Sequence, residues 1–296
     1  MKWLAAAGPI AAFLALLIWA RRALRRRTFG GLLANFCRRM ARLRAVRRLR
    51  TRYPRLWAFL SRRVTPAGVF GLHLTIGLAV SVLALGAFIK IADDVLERDD
   101  FARVDGIVAG IVASHLTPTE VRACQVASAI GAPGTIVALG AAVALVLIIR
   151  RRRWLAGAWV ATLAGGGLLN YLLKAAFHRT RPPGAGAFLH YDSWSFPSGH
   201  TMGATVTYGM LAFLLLLRAR DRGWSDATRT ALVGAAALVV ALIGASRICL
   251  GVHYTTDVIG ALAAGAMWLA VCISGLEELR RREVVSAPDT VSDTAT

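Results

Sequence analysis

The chain has 296 residues, of which 56% are hydrophobic and 18% charged, and its mean hydropathy of +0.56 excludes an ordinary soluble domain. Lysine and arginine together number 36 against 16 acids, a formal charge of +20, and since Lys2, Lys90 and Lys174 are the only lysines the positive charge is nearly all arginine. So large a charge is compatible with so apolar a chain only if the two are segregated along it.

Residues 1–20 are a first apolar run closed by Arg21, Arg22, Arg25, Arg26 and Arg27, with no small-x-small cleavage pattern at its end. They read as an uncleaved N-terminal membrane anchor, either a tilted span or an interfacial helix. Residues 21–66 form an Arg-rich cytoplasmic segment: between 21 and 63 there are 16 arginines and no acid, and the first carboxylate of the chain is Asp93. Within it Leu33, Phe36, Met40, Leu43, Val46 and Leu49 recur every three or four positions, the pattern of a basic amphipathic helix that Pro54 ends. Such a helix grips anionic inner-leaflet lipids, each Arg contributing ~1 kcal/mol near the headgroups. The same arginines suit nucleic acid, but the apolar stripe and the flanking apolar runs favour the membrane, so no nucleic-acid partner is expected.

Residues 67–275 are a series of long apolar runs with charged punctuation. Six spans are expected, over about 69–91, 134–149, 154–176, 200–217, 230–248 and 256–273, each long enough to cross a hydrocarbon layer of ~30 Å as a helix. The fold class is therefore all-α, a polytopic helical membrane protein with a six-span core and an extra N-terminal apolar helix. Between the first two spans, residues 104–130 have apolar residues at helical spacing broken at Thr117, Pro118, Thr119 and Glu120, which predicts a short helical hairpin resting on the outer interface. Residues 276–296 are expected to be a cytoplasmic, largely disordered tail.

Orientation follows from the arginines, since short loops rich in Lys and Arg stay cytoplasmic. The segment 21–63, the loop of Arg150, Arg151, Arg152 and Arg153, the loop with Arg218, Arg220, Arg222 and Arg229, and the tail with Arg280, Arg281 and Arg282 fall on one side of six alternating spans. The segment 91–133 then faces the other side, and it is acidic, with Asp93, Asp94, Glu97, Asp99, Asp100, Asp105 and Glu120 against Arg98, Arg103 and Arg122.

Ionisable residues at the mouths of spans are costly and so are candidates for function. Lys174 and Arg181 lie two helical turns apart before Pro182 and Pro183 and make either an anion site or a pair of snorkelling anchors. Pro197, Ser198, Gly199 and His200 open the fourth span with helix-start residues whose backbone N–H groups suit a phosphate oxygen, and His200 stands beside that anion. Ser246 and Arg247 precede His253 and Asp257, which at four-residue spacing share one helix face, so the carboxylate can fix one imidazole nitrogen and leave the other as nucleophile or base. All three clusters fall on the outer side, and together they supply charge neutralisation, a nucleophile and an acid for phosphoryl transfer.

The ordered triple Lys174-x6-Arg181-Pro182, Pro197-Ser198-Gly199-His200 and Ser246-Arg247-x5-His253-x3-Asp257 resembles the three-part signature of the type 2 phosphatidic acid phosphatase (PAP2) superfamily, the membrane lipid phosphate phosphatases. The resemblance covers about 71–273. It implies a metal-independent hydrolase of the bacterial inner membrane, without cofactor, whose site faces the periplasm or exterior. It implies that His253 forms a phosphohistidine, that Asp257 orients it, and that His200 protonates the leaving oxygen and then activates water. Lys174, Arg181 and Arg247, with Ser198, Gly199 and Ser246, would hold the phosphoryl oxygens. Its expected partner is a lipid phosphate or pyrophosphate, with the cell-wall carrier undecaprenyl pyrophosphate preferred over phosphatidic acid, phosphatidylglycerol phosphate and lipid A phosphates. The same site also suits a lipid phosphotransferase or a vanadate-dependent haloperoxidase, the latter opposed by the six spans. The chemistry does not fix an oligomeric state. The run Gly165, Gly166, Gly167 and the pair Gly199, Gly203 read as close helix packing, and Cys37, Cys124, Cys249 and Cys272 have no metal or disulfide spacing.

Overall fold

A computed structural model describes residues 69–97, 100–115, 117–183 and 193–285. Among these the chain forms eight helices and no strand: α1 (Val69–Glu97), α2 (Asp100–His115), α3 (Pro118–Ile130), α4 (Pro133–Ile149), α5 (Arg153–Phe177), α6 (Gly199–Asp221), α7 (Asp226–Cys249) and α8 (Thr255–Val285). The anchor expected over 1–20, the basic segment 21–66, and 286–296 lie outside the described residues.

Each expected span falls inside one helix, and the helix ends follow local chemistry. Thr117 caps α3: its hydroxyl accepts from the Glu120 N–H at 3.3 Å while the Glu120 carboxylate accepts from the Thr117 N–H at 2.9 Å, with Pro118 in the first turn where a missing N–H costs nothing. Pro133 starts α4 in the same way. By length and composition five stretches among the described residues, Pro118–Ile149, Arg153–Phe177, Gly199–Ala219, Asp226–Cys249 and Thr255–Arg280, are apolar and long enough to cross a membrane, one fewer than the six spans expected, since 69–91 is not among them. The 25 residues of α5, for example, extend about 38 Å at 1.5 Å per residue.

The packing is that of a bundle in lipid. Outward side chains include Leu83 at 73% exposure, Val137 at 69% and Tyr171 at 69%, whereas Asp105, Ser198, Thr201, Thr207, Arg247 and Asp257 are buried. In water that partition would be unfavourable; against hydrocarbon it satisfies both surfaces. Contiguity of chain units divides the molecule into Met1–Thr75 with Arg222–Gly234, and Ile76–Asp221 with Ala235–Thr296. The described part of the first unit holds the α6–α7 turn, where the Ser225 hydroxyl accepts from the Thr228 N–H at 3.2 Å.

The second unit is built around α6, which packs on α8, α5 and α4. Small residues allow this: a side chain at Gly165 would strike Trp268, one at Gly209 would strike Leu269, and one at Gly265 would strike Thr205. Trp159, fully buried near Met210 and Leu276, donates to the Gly140 carbonyl at 2.8 Å, and Trp268 donates to the Thr162 carbonyl at 2.8 Å. At the other end Phe88, Phe177 and Phe196 interlock, with centroids 5.0 to 6.1 Å apart, beneath the loop that leads into α6.

Four expectations need correction. Residues 276–285 are not a disordered tail, because Leu276 is buried against Trp159 and Met210 and α8 continues to Val285. Arg181 is not helical: α5 stops at Phe177 with His178 in the left-handed region (φ 45°), and the chain then runs on past the helix end to Pro182. Gly167 and Gly203 are not packing positions, since a side chain at either would meet nothing within 4 Å. The hairpin α2–α3 exists, but it does more than rest on a surface: Asp105 of α2 is only 2% exposed.

Candidate active site

The three sequence clusters meet at one end of the second unit. The residues 178–183 follow the end of α5, the residues 193–198 approach α6, and the turn 250–254 joins α7 to α8, so each cluster sits at or near a helix end. Between α4, α5 and α6 lies a cavity of about 640 Å³. Lys174, Arg181, Gly199, His200 and His253 line its polar end, and Ile136, Ala144, Trp159, Val160 and Leu163 line the rest.

His253 is held from both sides. Its Nδ1 lies 3.2 Å from Asp257 Oδ2 and 3.4 Å from Ser195 Oγ, and its Nε2 lies 3.3 Å from Arg181 Nη1. A guanidinium only donates, so Nε2 carries the lone pair and Nδ1 carries the proton that Asp257 accepts. Burial pushes the His253 ring down to about 4, against the upward pull of its hydrogen bond to Asp257 and of that carboxylate's charge, so the ring is neutral near pH 7. Asp257, itself fully buried, also accepts from the Tyr254 N–H at 2.9 Å and from the Ser195 hydroxyl. His253 thus stands in the turn before α8 rather than on the helix, and the four-residue spacing still brings the pair together because Asp257 reaches back over the helix start.

Arg181 is fixed by the carbonyls of Ser193 at 3.0 Å and Val252 at 2.8 Å and by Ser193 Oγ at 3.1 Å, which aims it at the cavity beside His253. Lys174 donates to the carbonyls of Trp194 and, at 3.5 Å, of Ser195. Gly199 is closely approached: a Cβ there would lie 3.2 Å from Asn170 Oδ1, which would have to give by a few tenths of an ångström. The remaining expected phosphate ligands are arranged differently. The Ser198 hydroxyl accepts from Thr201 at 3.0 Å, the Ser246 hydroxyl donates to the Ile243 carbonyl at 2.7 Å, and Arg247, 1% exposed, donates to Ser128. None of these three lines the cavity, although Arg247 is close enough to His200 to act on its charge.

The sequence reading missed Arg179, Ser195, Thr256 and Asp105. Arg179 donates to Asp257 Oδ1 at 2.6 Å, to Thr256 Oγ1 at 2.7 Å and to Asp105 Oδ2 at 2.8 Å, and it lies over the Tyr254 ring at 4.2 Å. Burial disfavours its charge, but Asp257 and Asp105 more than offset this, and the guanidinium is held above its ordinary value. One signal was available: Asp105 takes the place of an apolar residue in the series Phe101, Val108, Val112, and an acid on an apolar stripe requires a partner.

The description of a family, "PAP2 superfamily", matches residues 155–281. Phosphatidylglycerophosphatase B of Bacillus subtilis (strain 168) is 35% identical over 115 residues, which is 39% of this chain and 54% of that protein, so the chain spans about half the length of that curated relative. Among solved structures, the crystal structure of the first transmembrane PAP2 type phosphatidylglycerolphosphate phosphatase from Bacillus subtilis superimposes with a TM-score of 0.62 at 24% identity, covering 68% of this chain and 98% of that one. The crystal structure of Aquifex aeolicus LpxE gives a TM-score of 0.40 at 21% identity, over 56% of this chain and 92% of that one.

Proposed function

Residues 155–281 match the PAP2 superfamily, and from that premise we propose that the chain is a member of it, a membrane phosphatase that hydrolyses a lipid phosphomonoester through a phosphohistidine on His253. One observation carries the proposal: an imidazole whose Nδ1 is held by Asp257 has Nε2 beside Arg181, at the polar end of a cavity that Lys174, Arg181 and His200 also line.

Nε2 attacks phosphorus, and as the N–P bond forms the P–O bond to the lipid breaks. His200 donates a proton to the departing oxygen, and Lys174 and Arg181 neutralise the equatorial oxygens. Water then attacks the phosphohistidine, His200 takes its proton, the N–P bond breaks and phosphate leaves. Backbone N–H groups at the start of α6 and the Arg247 charge add to the same field. Three cations with backbone donors supply the charge neutralisation that phosphoryl transfer needs, so activity is expected to persist with EDTA.

The apolar remainder of the cavity suits the chain of a lipid, with Gly167 and Gly203 leaving room for it. The relative's name favours a glycerophospholipid phosphate such as phosphatidylglycerol phosphate as substrate, ahead of undecaprenyl pyrophosphate. Orientation is supported by α5, which carries Arg153 at one end and Lys174 near the other, a bilayer thickness apart. Arg150, Arg151, Arg152 and Arg153 favour the cytoplasm, so the site opens on the outer face of the bacterial inner membrane.

The test is phosphate release by purified protein in detergent, with EDTA, from phosphatidylglycerol phosphate, phosphatidic acid and undecaprenyl pyrophosphate. Release from at least one, fastest from a glycerophospholipid phosphate, is the expected result. No release from any of them, or label transferred to an acceptor lipid in place of free phosphate, overturns it.

A further inference from the structure

Asp105 belongs to α2, outside the stretch 155–281 and away from the cavity lining, yet it is 2% exposed and fully engaged. It accepts from the Thr256 N–H at 3.0 Å, from the Thr256 hydroxyl and from Arg179 Nη2 at 2.8 Å. The other fork of the same guanidinium holds Asp257 Oδ1 at 2.6 Å, which leaves Oδ2 of Asp257 for His253. An unbroken chain of charged hydrogen bonds therefore runs from α2 through Arg179 to the carboxylate that orients the nucleophile.

The charges in this chain matter to the chemistry. Arg179 and Asp257 alone would cancel. Asp105 adds a second carboxylate to the one guanidinium, and the cluster keeps one net negative charge. When neutral His253 bonds to phosphorus through Nε2 it keeps its Nδ1 proton and becomes a cation, so positive charge develops against Asp257 as the P–O bond breaks. A net negative cluster stabilises that cation, and a neutral pair does so much less. Buried as the group is, little solvent screens the difference.

We propose that Asp105 and Arg179 are positioning residues for the reaction: Arg179 holds Asp257 in the orientation that serves His253, and Asp105, by sharing Arg179, keeps that carboxylate electrostatically available to the phosphohistidine cation. The proposal rests on the phosphohistidine reading above and assigns to the outer hairpin a part in catalysis that does not involve touching substrate.

The measurement is the exponential rate constant for labelling of the enzyme by 32P-phosphatidic acid in mixed micelles, by rapid quench, because an inactive fraction of protein lowers its amplitude and not its rate constant. Wild type is expected to label and His253→Ala is not; if wild type itself does not label, the phosphohistidine reading fails before this one is reached. Asp105→Asn keeps the shape and leaves Arg179 paired with Asp257, and its rate constant is expected to fall about 10- to 100-fold, the usual effect of losing a partner behind an oriented histidine. Asp105→Glu, which restores the charge, is expected to regain most of that loss. An unchanged rate constant in Asp105→Asn, or an equal loss in both variants, overturns the proposal. Should Asp105→Asn not fold, Thr256→Val keeps both charges and removes only the hydroxyl that joins Asp105 and Arg179; its expected loss is about threefold to tenfold, the effect of one hydrogen bond, and no loss overturns the proposal.

Discussion

His253 and His200 face one cavity from two different helix ends and are held in opposite ways. His253, in the turn before α8, is 4% exposed and has a hydrogen-bond neighbour on each ring nitrogen, backed by Asp257, Arg179 and Asp105. The ring of His200, in the first turn of α6, is partly exposed and makes no side-chain hydrogen bond among the described residues. The difference matches their proposed tasks. A nucleophile must present one lone pair along one direction throughout the cycle, so its tautomer and angle are fixed. A residue that first gives a proton to a leaving oxygen and then takes one from water must change protonation state and follow two different oxygens, which permanent partners would oppose.

The largest expected effect separates the two histidines directly. His253→Ala should lose phosphate release by at least about a thousandfold, as removal of a nucleophile does, and should form no labelled enzyme. His200→Ala should also turn over slowly, yet it should accumulate labelled enzyme from an aryl phosphate, whose leaving group needs no acid. Labelled His253→Ala protein would break the contrast.

Asp257→Asn comes next. It preserves shape but offers His253 the wrong hydrogen-bond partner, and by analogy with the orienting aspartate of serine proteases kcat should fall about 10²- to 10⁴-fold. Full activity would mean that the network holds His253 without serving it. Ser195→Ala removes only one donor to that carboxylate, and an effect of about tenfold on kcat is expected for a hydrogen bond to a charged group, with KM little changed. Equal effects of Ser195→Ala on kcat and KM would count against a role confined to the nucleophile.

The smallest effect at neutral pH, and the sharpest check on burial, is the titration of His253. With its proton affinity lowered to about 4, its 15N ring resonances in micelles should keep the neutral pattern until the pH approaches that value. The unfolded chain protonates the same ring near its ordinary value of about 6.5, so this residue favours folding fully above that pH and progressively less as pH falls from there toward 4. A ring midpoint near the ordinary value would show that hydration, not burial, sets its state.

Much of the site was legible because its signals are local. Lys174, His200, His253 and Asp257 announce themselves as polar residues in or beside long apolar runs, where a membrane leaves few reasons for them. Arg181 and His253 were expected on helices and stand just outside them, because the left-handed turn at His178 and the start of α8 at Thr255 depend on how the chain packs and not on spacing alone. Ser198, Ser246 and Arg247 have the right sequence positions, but their side chains satisfy groups within the bundle. Asp105 stands among the other acids of its segment, and nothing local links it to Arg179.

The sequence by itself determined the class of molecule, since apolar runs of bilayer length make spans, and it supplied the expectations that arginine loops orient them and that three motifs at span ends serve phosphoryl transfer. Only the tertiary structure decided which charges act together. The bond between Arg179 and Asp105 joins residues far apart in the chain, brought into contact by the folding of α2 over the turn before α8. Periodicity and spacing describe neighbours on one helix, whereas a charge buried between helices is stabilised by whichever partner the packing brings within hydrogen-bond reach.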